Sequence, residues 1–270
     1  PIQSDEDFWR RCEALLAEAA SDHADVFLFP EYFALSLVTN YKNMPRFHDR
    51  LVYLAKTNKA VFAKFQSLAQ KYKLTIIAGS MPAIYKGKLV NRCHVFFPTG
   101  RSLYQDKIHM TRFESEEWHV QSGDKTLRTF TVAGAKCGIN ICYDIEFPQL
   151  SQKLMQKAVE VIFAPSCTDD VHGYWRVRHC SQARTVENQC YVVMASIVGG
   201  HKSFSEIESH YGRAGIFSPC DIGYPERGVL NEGTLNAEGM TIADLDLTKL
   251  HNLRKNGTVL NFRDSKKAKK

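Results

Sequence analysis

The stretch GINICYDIEFP, residues 138–148, decides how the rest of the chain is read. It is an uncharged, largely apolar run that ends abruptly at Cys142 and gives way to Tyr143, Asp144 and Glu146. Such a run, bounded by polar residues, reads as a buried strand with a thiol at its end. Two other segments share that design. DVFLFPEYF (25–33) is a short apolar strand closed by Pro30 and Glu31, and SLYQDKIHM (102–110) ends at Lys107. In open α/β sheets reactive groups gather at strand ends, where the sheet fixes the backbone and the end stays accessible.

Working outward, Phe8, Cys12, Leu15, Leu16 and Ala19 keep helical spacing, so 5–21 reads as an amphipathic helix. Phe62, Phe65, Leu68 and Ala69 mark a second helix, followed by the strand LTIIAG (74–79). NRCHVFF and RSLYQDK flank Pro98-Thr99-Gly100 as a hairpin, and TLRTFTV and KCGINIC flank Ala133-Gly134 in the same way. Helices at about 147–158 and 174–187 precede the strands EVIFAP (160–165) and CYVVMAS (190–196). A last strand pair is expected at 213–217 and 239–246, before a short helix. Alternating units and hairpins predict a mixed sheet covered by helices. No Gly/Pro/Ser-rich linker and no repeat divides the chain, so one domain is expected over 1–262, followed by a basic tail at 263–270.

Composition bounds the function. The net charge is +6, but Lys266, Lys267, Lys269 and Lys270 supply four of those positives in the tail. Lys and Arg cluster with aromatics nowhere else, so nucleic-acid binding is not expected. No uninterrupted apolar run reaches the length of about 18 residues that a membrane span needs. The eight cysteines form no CxxC pair, and several lie in apolar runs, which suits reduced, buried thiols in a reducing, cytoplasmic setting. The histidines show neither HxxxH nor HExxH spacing, and neither metal nor organic cofactor is expected.

Glu, Lys and Cys make a coherent chemical trio. A carboxylate can take the proton of a thiol, and a nearby ammonium favours the thiolate and can hold an oxyanion. Each residue alone has a plainer reading: an inert core thiol, a first-turn carboxylate, a solvated lysine. The separations of 76 residues from Glu31 to Lys107 and 35 from Lys107 to Cys142 do not by themselves bring them together.

Taken in order, FPEYF, DKIHMTRFE and GINICYDIEFPQL resemble the three signature segments of the nitrilase superfamily, the carbon–nitrogen hydrolases. The later run RHCSQARTVENQCYVVMAS (178–196) resembles the segment after the nucleophile, with Arg184, Glu187 and Asn188 at matching places. The resemblance runs from about residue 5 to about 250. It implies an α/β fold, a four-layer α-β-β-α sandwich, assembled as a homodimer or larger homo-oligomer. It implies Glu31 as general base, Lys107 as oxyanion-stabilising ammonium, Cys142 as nucleophile, and the backbone N–H of Tyr143 as a second oxyanion donor. A further active-site glutamate is implied shortly after the lysine. Glu114 is closest to the usual offset, with Glu116 and Glu117 as competitors.

The implied activity is hydrolysis of a non-peptide carbon–nitrogen bond in a small amide-type substrate, through a thioester. An acyltransferase and a silent interaction module are the alternatives. In SCTDDVHGYWRVRH (166–179), Asp169 and Asp170 with Trp175 offer a cation site; equally, the aspartates cap the following helix, and Arg176 and Arg178 offer a carboxylate site. Two departures stand out. Ser196 occupies a place where many relatives have asparagine. The family's usual first strand, expected just before the first helix, lacks a counterpart, so that strand, or a whole fused N-terminal domain, is expected upstream.

Overall fold

The computed structural model describes residues 2, 4–40, 44, 46–200, 206, 208–265 and 267, without the side chains of 38–40. Two sheets face each other. The first has the order β1-β2-β3-β4, built from β1 (Val26–Leu28), β2 (Thr75–Tyr85), β3 (Lys88–Phe96) and β4 (Ser102–Asp106). The second has the order β10-β9-β8-β7-β6-β5. Its strands are β5 (Thr129–Val132), β6 (Ala135–Ile139), β7 (Val161–Ser166), β8 (Tyr191–Ser196), β9 (Gly215–Phe217) and β10 (Val229–Glu232).

Side-chain alternation explains the layering. In β2, Ile77 points into the interior shared with Phe130, Ile139 and Phe163 of the second sheet. Its neighbours Ile76 and Ala78 point the other way, onto the helices α1 (Asp5–Ser21) and α3 (Lys59–Tyr72). On the far side, α5 (Pro148–Gln156) and α6 (Val171–Asn188) bury Leu150, Leu154, Tyr174 and Val177 against the second sheet. The result is the expected α-β-β-α sandwich. Both β7 and the first nine residues of β2 are buried on both faces, as interior strands require.

Local chemistry sets the helix ends. Ser4 caps α1 by accepting from the N–H of Asp7 at 3.1 Å, and Asp5, Glu6 and Asp7 complement the positive helix N-terminus. Phe8, Cys12, Leu16 and Ala19 form its buried stripe. Asp170 caps α6 by accepting from the N–H of Gly173 at 2.7 Å, the plainer of the two readings open for that residue. A helix not anticipated from the sequence, α2 (Phe47–Thr57), buries Phe47, Leu51, Leu54 and Ala55.

The end of the chain differs from expectation. The strand β9 does form within 213–217, but it pairs antiparallel with β10, not with 239–246. Residues 239–246 form no strand. They run to Asp246, the N-cap of α7 (Leu247–Asn256). The apolar alternation in TIADLDL is real, but the segment meets the edge strand β10 through a side chain, with Asn231 Nδ2 donating to the carbonyl oxygen of Ile242 at 2.8 Å, and adds no strand to it. Instead a cavity of about 650 Å³ separates this segment from the outer edge of β1, which among the described residues pairs with β2 alone. Val26–Phe29, Val193–Ile197 and Asn236–Leu245 line it, with Ile2 also on its wall. A short helix, α8 (Asn261–Asp264), crosses the expected boundary at 262, and Lys267 pairs with Asp264 at 2.8 Å. The tail residues Lys266, Lys269 and Lys270 lie outside the described residues. No helix among the described residues is long and apolar enough to cross a membrane.

One glycine fixes the approach of β1 to β2. Gly79 has φ +64, and a Cβ there would sit 1.9 Å from the carbonyl oxygen of Pro30. Gly79→Ala is therefore expected to destabilise the fold by about 2–4 kcal/mol, beyond an ordinary surface change, and to displace the neighbouring Glu31. Urea unfolding measures the first effect and loss of turnover the second.

Candidate active site

Four elements deliver four buried groups to one place. Glu31 follows β1, Lys107 follows β4, Cys142 follows β6, and Glu114 belongs to α4 (Arg112–Glu116). The first two strands belong to one sheet and β6 to the other, so the site straddles the open end of the sandwich. Cys142 opens a 3-10 turn, Cys142–Glu146, with φ +46. That conformation is costly for a residue with a Cβ, by about 1–3 kcal/mol, and survives only where the surroundings enforce it.

The Lys107 ammonium sits between the two carboxylates. Its Nζ donates to Glu31 Oε1 at 2.8 Å and to Glu114 Oε2 at 2.6 Å. All three side chains are at most 3% exposed. Glu31 also accepts from Asn91 Nδ2 at 2.8 Å and, through Oε2, from the N–H of Cys167 at 2.9 Å. Glu114 accepts in addition from Tyr32 Oη at 2.8 Å, Asn91 Nδ2 at 3.2 Å, and the N–H and hydroxyl of Thr111, both at 3.0 Å. Thr111 and Glu114 form a capping box at the start of α4, so a local helix-start device also aims the carboxylate. Glu116 and Glu117 are exposed, and Glu116 pairs with Arg112; of the three glutamates only Glu114 reaches the lysine.

The electrostatics separate the two carboxylates. Burial pushes the Glu31 carboxyl up to about 7, against the pull of Lys107. Burial acts on Glu114 in the same sense, but Lys107 and its many donors outweigh it and hold it below the usual range. Burial alone would lower the Lys107 pKa; Glu114 and Glu31 overcome it and raise it. The Cys142 thiol is buried beside both Glu31 and Lys107. Burial drives the Cys142 pKa well up, the Glu31 charge adds to that, and Lys107 only opposes it. The Cys142 Sγ donates to the carbonyl oxygen of Cys167 at 3.6 Å.

Several residues that hold the site were not singled out from the sequence. Asp144 accepts from the N–H of Ile108 at 3.0 Å, and from the N–H and Nδ1 of His109 at 2.8 and 3.0 Å. It thus ties the Cys142 turn to the segment after Lys107. The His109 ring stacks on Phe147 at 3.7 Å. Asn91 and Tyr32 complete the carboxylate shell. Arg184, noted within its motif, donates to the carbonyl of Ile145 at 3.0 Å and so braces the same turn.

The expected substrate contacts are more scattered. Tyr143 follows Cys142 in the turn, with its ring edge-on to Phe147 at 4.9 Å. Asp169 is exposed, and Trp175 is half-buried on α6 beside His179 and Arg178. No hydrogen bond joins Asp169 or Trp175 to Glu31, Lys107 or Cys142. Arg178 is engaged by Glu232 at 2.6 Å, and Arg176 lies 3.7 Å from Glu146. Ser196 is half-buried, and its hydroxyl oxygen is enclosed without a partner among the described residues. Among the described residues no three His, Cys, Asp or Glu side chains gather as a metal site would require.

Comparison with known proteins fits this arrangement. A family profile described as carbon-nitrogen hydrolase matches residues 2–255. The probable hydrolase YhcX of Bacillus subtilis (strain 168) is 36% identical over 98% of this chain, and the chain spans about half, 52%, of that relative's length. An omega-amidase of Mus musculus is 29% identical over 96% of this chain and 89% of its own length. A crystal structure from Saccharomyces cerevisiae, described as a member of branch 10 of the nitrilase superfamily, superposes with TM-score 0.74 at 21% identity, covering 94% of this chain and 89% of that one. The chain belongs to the carbon–nitrogen hydrolase family.

Proposed function

We propose that the protein hydrolyses a small amide-type substrate through a thioester on Cys142, with Glu31 as proton carrier and Lys107 as electrostatic partner. The observation that supports this most directly is the Lys107 ammonium held at 2.8 and 2.6 Å between Glu31 and Glu114, beside the Cys142 thiol. The two carboxylates take different tasks because their surroundings differ. Glu114, with more donors, stays ionised and holds the lysine. Glu31, raised by burial, exchanges protons.

In the first half-reaction Glu31 takes the thiol proton as sulfur bonds to the carbonyl carbon. The developing oxyanion is met by Lys107 and the N–H of Tyr143. The C–N bond breaks, and the leaving amine takes the proton from Glu31. In the second half-reaction Glu31 removes a proton from water, the hydroxide attacks the thioester, and the C–S bond breaks as the thiol is re-protonated. The omega-amidase relative supports an amide as the substrate class.

The proposal extends to the setting. Residues 1–262 work as one catalytic unit. A strand supplied from upstream adds to the outer edge of β1, opposite 239–246. The apolar cavity there supports this, as does the position of Ile2 on its wall. The twofold length of the Bacillus relative suits a fused N-terminal domain. Assembly as a homo-oligomer and a reducing, cytoplasmic location belong to the same proposal; the eight cysteines are free, and five are buried.

Incubation with a panel of amides, amidines, ureas and nitriles, read by intact-mass spectrometry, tests the chemistry. A substrate acyl group should appear on Cys142 and be absent from Cys142→Ala, which should also lose turnover while remaining folded. Near-normal turnover in Cys142→Ala would sink the mechanism. Glu31 must be ionised to accept the thiol proton, so kcat/KM should fall as pH drops through about 7. Lys107→Met leaves two buried carboxylates without their cation; it should abolish turnover and lower stability by about 3–5 kcal/mol in urea unfolding.

A further inference from the structure

We infer that Asn91 is a positioning residue, which divides the roles of Glu31 and Glu114 by bonding both carboxylates through one amide nitrogen. This rests on the Glu31–Lys107–Cys142 reading and adds a residue to it.

Asn91 lies on β3 and is fully buried. Its Nδ2 donates to Glu31 Oε1 at 2.8 Å and to Glu114 Oε1 at 3.2 Å. Its backbone carbonyl accepts from the N–H of Lys107 at 2.9 Å. One residue therefore touches both carboxylates and the backbone of the lysine between them. The orientation of the amide follows from chemistry: two carboxylates face it, so the N–H₂ end must point at them, because the oxygen end would repel both. That leaves Oδ1 enclosed without a partner among the described residues. A buried amide oxygen with no donor is unfavourable, and it persists here where the opposite end of the group satisfies two anions.

The consequence is unequal for the two carboxylates. Glu31 has three N–H donors, from Asn91, Lys107 and Cys167. Glu114 has five donors, from Asn91, Lys107, Tyr32 and both groups of Thr111. Losing the amide removes one donor in three from Glu31, and the shorter of the two contacts. Glu114 loses one in five, and the longer. The charged and titratable groups around Glu31 are Lys107, Glu114, Cys142, Cys167, Tyr32 and Cys93. Of these only Lys107 is a cation, so nothing else replaces the lost donor. Without Asn91 the Glu31 carboxylate is less stabilised and holds its proton to higher pH.

Asn91→Leu tests this. It fills a similar volume and removes the unpartnered oxygen with the donor, so packing is kept. Asn91→Asp, nearly isosteric, provides a second variant that places another acid against Glu31. The readouts are the pH profile of turnover and the pH profile of Cys142 alkylation by iodoacetamide, mapped by peptide. In Asn91→Leu the acid limb of both profiles should move up by about one pH unit, and kcat should fall roughly ten- to hundredfold with KM little changed. Asn91→Asp should move the limb in the same direction. If wild type shows the limb and both variants keep it unshifted, Asn91 has no positioning role. If instead wild-type alkylation of Cys142 has no acid limb and Cys142→Ala keeps turnover, the Glu–Lys–Cys reading itself fails.

Discussion

The Lys107 ammonium, enclosed between two carboxylates, is the constraint on which the rest of the site depends. Removing a single charge from water is far too costly to leave it uncompensated. Two acids around one cation leave the cluster with net negative charge, and each remaining lone pair must find a donor. Asn91, Tyr32, Thr111 and the Cys167 amide supply them. These partners come from β3, from the turn after β1, from the start of α4 and from the end of β7. The polar cluster therefore ties together four separate elements, and the apolar layers fill in around it.

Much of this was legible in the sequence because each reactive residue closes an apolar run. Glu31, Lys107 and Cys142 stand out by chemistry and by position, and family resemblance gave their association. Helical stripes such as Phe8, Cys12, Leu16 and apolar runs such as EVIFAP gave a mixed sheet covered by helices, and the four-layer arrangement came from the family resemblance. Other features were not legible, for definite reasons. Asn91 opens NRCHVFF, read as one strand of a hairpin, where a polar residue carries no signal of its own; only the fold reveals two carboxylates in front of it. Asp144 looked like one polar residue of a turn, yet its partners are backbone amides, which carry no sequence signal. The helix α2 was obscured because its apolar stripe of Phe47, Leu51 and Leu54 is interleaved with His48, Asp49 and Arg50 and begins without a side-chain cap.

The segment 239–246 shows the limit of periodicity. Alternation states which side chains share a face, but a strand also needs an edge to pair with. Here the residues have the pattern without a ladder: their contact with β10 runs through the Asn231 side chain, and an apolar cavity lies between them and β1. The thiol gives a parallel lesson in electrostatics. A lysine near a cysteine suggests a thiolate, but burial and the Glu31 carboxylate push the thiol up while Lys107 only opposes them.

The Asp144 clamp has a mechanical consequence. Lys107 and Cys142 arise from strands in different sheets, and two stacked sheets can slide past one another by small shear displacements. Asp144 grips the peptide groups directly after Lys107 from within the turn that carries Cys142. Its three contacts act as a rivet at the rim of the sandwich. Any sliding of one sheet against the other at this rim would have to break these three contacts first.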